Sequence, residues 1–136
     1  MGVRSTGRKL AMQIMYQTDL RKTSIDTILE SFFQDTPYQE ETKLWAITLA
    51  KETENHRTES DELIQKYAIE WDLDRINPID LNILRIAFYE LRHTDTPINI
   101  VLNEAIEISK KYSNEDSSKF INGILGNYVK ECSQES

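Results

Sequence analysis

Between residues 78 and 91 the chain reads Pro-Ile-Asp-Leu-Asn-Ile-Leu-Arg-Ile-Ala-Phe-Tyr-Glu-Leu, and this stretch restricts the fold more than any other. Leu81, Leu84, Phe88 and Leu91 follow one helical face, and Ile79, Ile83, Ile86 and Ala87 fill most of the remainder. A helix that is apolar nearly all round is buried on several sides rather than laid on a surface. Pro78 suits a first helical turn, where its missing N–H has no intrahelical partner to lose. Asp80 falls in that same turn and complements the helix dipole. Arg85 is the one charge deep within the run, and once buried it needs an acidic or carbonyl partner. This is the expected central helix, and other elements must pack around it.

The rest of the chain supplies helices. It has 136 residues with only 4 glycines and 3 prolines, no sustained strand-like alternation and no internal repeat. A first helix is expected over about residues 5–20, with Leu10, Ala11, Ile14 and Met15 as its apolar stripe and Arg4 and Arg8 sharing an outer face. A short second helix begins after Ser24 or Asp26, carries Ile28, Leu29, Phe32 and Phe33, and stops at Asp35-Thr36-Pro37, since the residue before proline avoids the helical region. Leu44, Trp45, Ile47 and Leu49 begin a third pattern, and Leu63, Ile64, Tyr67 and Trp71 resume it after a polar gap. This reads as two consecutive helices with a break near Asn55, one long helix being the alternative. Thr96 as N-cap and Pro97 at the first helical position open the next helix, striped by Ile98, Val101, Leu102, Ala105, Ile108 and Tyr112. The last helix carries Phe120, Ile121, Ile124, Leu125, Tyr128 and Val129 on one side. The expectation is an all-α fold of about seven helices in two small packed bundles, an N-terminal one over about residues 5–70 and a C-terminal one over about 71–130.

Charge narrows the function classes. The net charge is −7, which argues against a bulk nucleic-acid binder. Its distribution says something different. Residues 1–22 hold five basic side chains against one acidic, while residues 23–75 hold five against thirteen. A basic arm on an acidic body can hold a phosphate backbone at one end and a basic partner elsewhere; a solvated N-terminus is the plainer reading. No apolar run approaches the ~20 residues needed to span a bilayer. The opening Met-Gly-Val-Arg-Ser-Thr fits a loose myristoylation pattern, but nothing else points to a membrane. Cys132 is the single cysteine, so neither an internal disulfide nor a thiolate metal cluster is expected, and a reducing cytoplasm fits.

Catalytic patterns are missing. There is no glycine-rich phosphate loop, no paired Cys/His spacing and no serine in a nucleophile elbow. His56 and His93 fall in polar or turn regions 37 residues apart and read as surface histidines. No cofactor is implied, and the chain reads as a non-enzyme. Binding features are better. Arg4, Arg8 and Lys9 at a helix start could contact phosphates, with Tyr16 two turns along as a stacking surface. Asp116, Lys119 and Phe120 lie at the start of the last helix, where free N–H groups, a positive charge and an aromatic ring meet, a combination that holds single-stranded RNA. From the residues alone Phe120 reads first as a core anchor, and Asp74 and Asp80 as capping or solvated carboxylates.

Several motifs occur in a fixed order: Arg8-Lys9-Leu10-Ala11-Met12-Gln13-Ile14-Met15-Tyr16, then Leu84-Arg85-Ile86-Ala87-Phe88-Tyr89-Glu90-Leu91, Thr96-Pro97, Asn103-Glu104-Ala105-Ile106-Glu107 and Lys119-Phe120-Ile121-Asn122-Gly123-Ile124-Leu125. Together they resemble the NusB transcription antitermination family, over about residues 4–129. The resemblance implies a cytoplasmic bacterial RNA-binding factor without catalytic activity. It implies recognition of boxA-type single-stranded RNA in nascent ribosomal RNA transcripts, together with the small-subunit ribosomal protein NusE, within an RNA polymerase antitermination complex. On that likeness Arg4, Arg8, Lys9, Tyr16, Asp116, Lys119 and Phe120 belong to the RNA surface, and Asp74 and Asp80 to the NusE side. The family's N-terminal basic segment is interrupted here by Ser5, Thr6 and Gly7, which implies weak RNA binding alone and strong dependence on NusE. Two other readings fit the residues: a similar domain serving a ribosomal RNA cytosine methyltransferase, and a helical adaptor that binds only proteins. A homodimer is compatible with the sequence.

Overall fold

A computed structural model describes residues 2–35 and 37–135. Among them are seven α-helices: α1 (Val3–Arg21), α2 (Ile25–Phe32), α3 (Glu40–Asn55), α4 (Arg57–Tyr67), α5 (Pro78–His93), α6 (Ile98–Tyr112) and α7 (Glu115–Glu135), with one 3-10 turn (Leu73–Arg75) and no strand. The all-α expectation holds. None of the described helices is long and apolar enough to cross a membrane. The chain forms two compact units, Met1–Asn55 and His56–Ser136.

In the first unit α1 packs against α2 and α3. Leu10, Ala11, Ile14 and Met15 are buried as their spacing requires. α1 ends with Lys22 in the left-handed conformation (φ 53°, ψ 49°), a position usually given to glycine or asparagine. Ser24 caps α2, its hydroxyl accepting from the Thr27 N–H at 3.2 Å. α2 ends at Phe32; the expected stop includes Thr36, which lies outside the described residues. Gly7 sits directly beneath the Trp45 ring, so close that a Cβ there would stand 2.4 Å from Trp45 Cε3. Arg8 is only 3% exposed, and its guanidinium carbon lies 5.2 Å from the centre of the same ring. That distance is within the range of a cation–π contact.

In the second unit α5 packs against α4, α6 and α7, which explains its apolar residues all round. Leu84 and Phe88 are fully buried, as are Ile64 of α4 and Ile121 and Leu125 of α7. Phe88 meets Tyr128 edge-to-face at 5.1 Å. Asn77 caps α5 by accepting from the Ile79 N–H at 2.8 Å. The sequence places the division between bundles near residue 70, but α4 groups with the second unit. The reason is Arg85. Its Nε donates to Asp61 Oδ1 at 2.7 Å and its Nη2 to Asp61 Oδ2 at 3.2 Å, while Nη1 donates to Asn82 Oδ1 at 3.1 Å. A buried guanidinium at 3% exposure needs such a fork-to-fork partner, and the partner lies on α4.

Asp80 forms a second link, from α5 to α7. It is 4% exposed, and its Oδ2 accepts from the Ser117 hydroxyl at 2.7 Å. Ser117 in turn lies 2.7 Å from the Ser113 hydroxyl, and its N–H donates to Asn114 Oδ1 at 2.8 Å. Burial raises the Asp80 carboxyl pKa, outweighing the Ser117 and Ser113 hydroxyls, which lower it. α6 begins at Ile98, one residue later than expected. Thr96 does not cap it, because its hydroxyl donates to Glu90 Oε1 instead, at 3.4 Å.

Three outcomes follow for urea unfolding. Asp61→Ala leaves Arg85 buried without its carboxylate and is expected to cost about 3 kcal/mol; a loss under about 1 kcal/mol would show that the guanidinium finds water instead. Gly7→Ala drives a methyl into Trp45 and is expected to cost about 1–3 kcal/mol despite alanine's better helix propensity. Because the folded pKa of Asp80 lies above the unfolded one, the unfolded chain releases this proton first. The contribution of Asp80 therefore falls as pH rises through that interval. Asp80→Asn is expected to remove this component from stability profiles measured between about pH 3 and about pH 7.

Candidate nucleic-acid interface

The first unit offers the start of α1. Gly2 makes no side-chain cap, and the first turn contains no acidic residue. The positive end of the dipole therefore meets no acidic side chain in its own first turn, an arrangement that favours an anion. Arg4 is exposed there, and Lys9 and Tyr16 are half-buried further along α1. Arg8 is not on this surface. It is withdrawn over Trp45, so the expected phosphate contact is replaced by a packing one. The same ring accounts for Gly7, one of the three residues that interrupt the basic segment, because Gly7 must leave room for Trp45.

The second unit offers the start of α7. Asn114 and Ser117 fix this end through the cap just described, and the Ser118 N–H donates to the Asn114 carbonyl at 3.1 Å. The Ser118 hydroxyl lies 2.8 Å from that of Ser109 on α6. With the backbone so held, Asp116 and Lys119 are exposed and Phe120 is half-buried. The Phe120 ring lies 6.4 Å from that of Trp71, with the planes at 74°. Beside them is a cleft of about 300 Å³, lined also by Arg75, Asn77, Asp80 and Asn114. The sequence reading puts Trp71 on a core stripe, but α4 ends at Tyr67 and Trp71 is 48% exposed. Its flanking Glu70 and Asp72 were the available sign that it lies outside the core.

The two carboxylates assigned to a protein partner separate. Asp74 is exposed in the 3-10 turn Leu73–Arg75. Asp80 is buried and bonded to Ser117, so it acts as a tie between helices rather than as a surface contact.

The histidines lie at or near the surface, His93 exposed and His56 half-buried, but they are brought together. The His56 and His93 rings approach to 4.1 Å, and Tyr89 lies 5.3 Å from the first and 5.7 Å from the second. His93 Nε2 is 2.7 Å from Glu59 Oε1. Burial pushes the Glu59 carboxyl up, but the hydrogen bond to His93 and the charge of Arg92 outweigh it and hold the carboxyl below its usual range. Among the described residues no group of three or more His, Cys, Asp or Glu side chains is arranged to hold a metal ion.

The sequence matches the NusB family over residues 5–130. It is 40% identical over 128 residues to the transcription antitermination protein NusB of Thermoanaerobacter sp. (strain X514), covering 94% of this chain and 91% of that one. The corresponding protein of Anaeromyxobacter dehalogenans (strain 2CP-1 / ATCC BAA-258) is 40% identical over 123 residues, covering 90% and 87%. The fold matches T. maritima NusB with a TM-score of 0.83 at 35% identity, covering 94% of this chain and 91% of that one. It also matches a crystal structure of the antitermination factors NusB and NusE in complex with dsRNA, with a TM-score of 0.86 at 25% identity, covering 96% and 98%. Likeness at this level, over nearly the whole chain in both sequence and fold, has one consequence: the chain belongs to the NusB family.

Proposed function

We propose that this chain is a non-enzymatic transcription antitermination factor that binds boxA-type RNA of nascent ribosomal RNA transcripts together with NusE, in the bacterial cytoplasm and as part of an RNA polymerase antitermination complex. The observation that carries this reading is the start of α7, where exposed Lys119 and the Phe120–Trp71 ring pair flank a cleft on a backbone held by side-chain caps. Positive charge beside aromatic faces is the combination that binds unpaired nucleotides. Arg4 and Lys9 at the start of α1 add phosphate contacts, and Tyr16 adds a further ring. Asp116 sits in the first turn of α7, where the dipole offsets its charge.

The charge balance bears on how tightly the RNA is held. With Gly7 kept for Trp45 and Arg8 drawn beneath the surface, few cations of α1 remain to meet phosphates, and RNA affinity of the chain alone is low. The net charge of −7 suits a basic protein partner, with Asp74 as a contact. NusE then supplies both positive charge and a second surface for the RNA. The methyltransferase-associated alternative draws no support from the relatives above, which are NusB proteins matched over most of their own length.

Titration of a labelled boxA RNA at fixed salt, with and without NusE, tests the reading. NusE is expected to tighten binding severalfold, and equal affinity in the two cases would overturn the cooperative scheme. Phe120→Ala is expected to cost about 1–3 kcal/mol of binding through lost stacking. Lys119→Ala and Arg4→Ala should each lower the salt slope by about one. Unchanged binding in all three variants would favour an adaptor that contacts proteins only.

A further inference from the structure

The cleft at the start of α7 contains recognition chemistry beyond Phe120. Trp71 and Phe120 stand 6.4 Å apart with their planes at 74°, too close to admit a base between them. They form a corner instead. A base lying flat on either ring meets the other edge-to-face, and both arrangements are attractive. Trp71 is 48% exposed although its backbone is anchored, its carbonyl accepting from Gln65 Nε2 at 2.9 Å. A large aromatic face left in water on a fixed backbone is an available stacking surface.

The polar lining is matched to the same kind of guest. Asn77 and Asn114 accept through their side-chain oxygens from the Ile79 and Ser117 N–H groups, which leaves their amide N–H₂ groups as donors for the carbonyl oxygens of a base. Arg75 closes the 3-10 turn and is exposed beside them. Asp80 adds little repulsion, since it is 4% exposed and bonded to Ser117, and the exposed Asp116 on the same lining sits in the first turn of α7, where the helix dipole offsets its charge. The volume of about 300 Å³ is at the lower end of the ~300–1,000 Å³ typical of small-ligand sites, room for one nucleotide rather than a stacked pair. A phosphate at the mouth of the cleft would be drawn to Arg75.

We propose that this cleft is a single-nucleotide subsite for unpaired RNA, in which Trp71 supplies a second aromatic surface at right angles to Phe120 and Arg75 contacts the adjoining phosphate. The inference rests on the RNA-binding reading above. Its test is anisotropy titration of a labelled single-stranded boxA RNA against the full chain with NusE, with Trp71→Ala, Trp71→Phe and Arg75→Ala. Trp71→Ala is expected to weaken binding about tenfold, Trp71→Phe to restore most of it, and Arg75→Ala to lower the salt slope by about one. An abasic scan of the RNA should find one position at which removal of the base weakens binding of the parent chain but adds nothing to Trp71→Ala. A parent chain that binds no RNA overturns both readings. RNA binding by the parent with unchanged affinity in Trp71→Ala overturns this one alone. So does a Trp71→Ala loss that appears only in NusE affinity, which would give the cleft to the protein partner.

Discussion

The second unit depends on a guanidinium almost wholly removed from water. Arg85 lies in the middle of α5, among Leu84, Ile86 and Phe88, and it can be there only because α4 brings Asp61 to it in a two-pronged contact. The hydrophobic residues of α5 would tolerate several arrangements of neighbouring helices, since apolar contact has little directional demand. The ion pair tolerates one. It fixes which helix packs on that face and at what register, and for this reason α4 belongs with α5, α6 and α7 rather than with the helices before it. The Ser60 hydroxyl, 3.5 Å from the Arg85 carbonyl, adds a weak contact along the same seam.

At the other end of α5 a similar device works with smaller groups. Asp80, Ser117, Ser113 and Asn114 connect the start of α5 to the turn between α6 and α7. The residues proposed to touch RNA, Lys119 and Phe120, follow within one turn of the hydrogen-bonded serine. Recognition groups placed so soon after a rigid cap have little freedom to wander, and less entropy is lost when a ligand orders them.

Helical periodicity and the ordered motifs made the seven helices and the family legible from residues alone. The central helix, its proline start and the need of Arg85 for a partner were all visible in one 14-residue stretch. What could not be seen was which residues meet across the fold. Arg8 reads as a surface cation because it shares a spacing with Arg4, and only the location of Trp45 turns it inward. Asp80 reads as a first-turn carboxylate open to partners, and only Ser117, 37 residues later, shows it to be a buried tie. Trp71 reads as core because it continues a stripe, yet α4 has ended four residues before it. His56 and His93 read as surface histidines 37 residues apart, and the fold brings their rings within 4.1 Å, tilted at 37°. Local pattern predicts elements; three of these cases turn on contacts between positions distant in sequence, and that of Trp71 on where a helix ends.

The contact of Gly7 with Trp45 also limits how the protein can change. A basic residue at position 7 would extend the cationic start of α1, yet no side chain fits there while the indole stays in place. Stronger phosphate binding through that route would therefore require two substitutions at once, one to remove the ring and one to add the charge, with a less well-packed first unit as the intermediate on either path. A lineage under selection for tighter RNA binding would find single steps more readily elsewhere, on exposed positions of α7 or in the surface shared with its partner. The proposed dependence on a partner would, in this light, be partly written into the core.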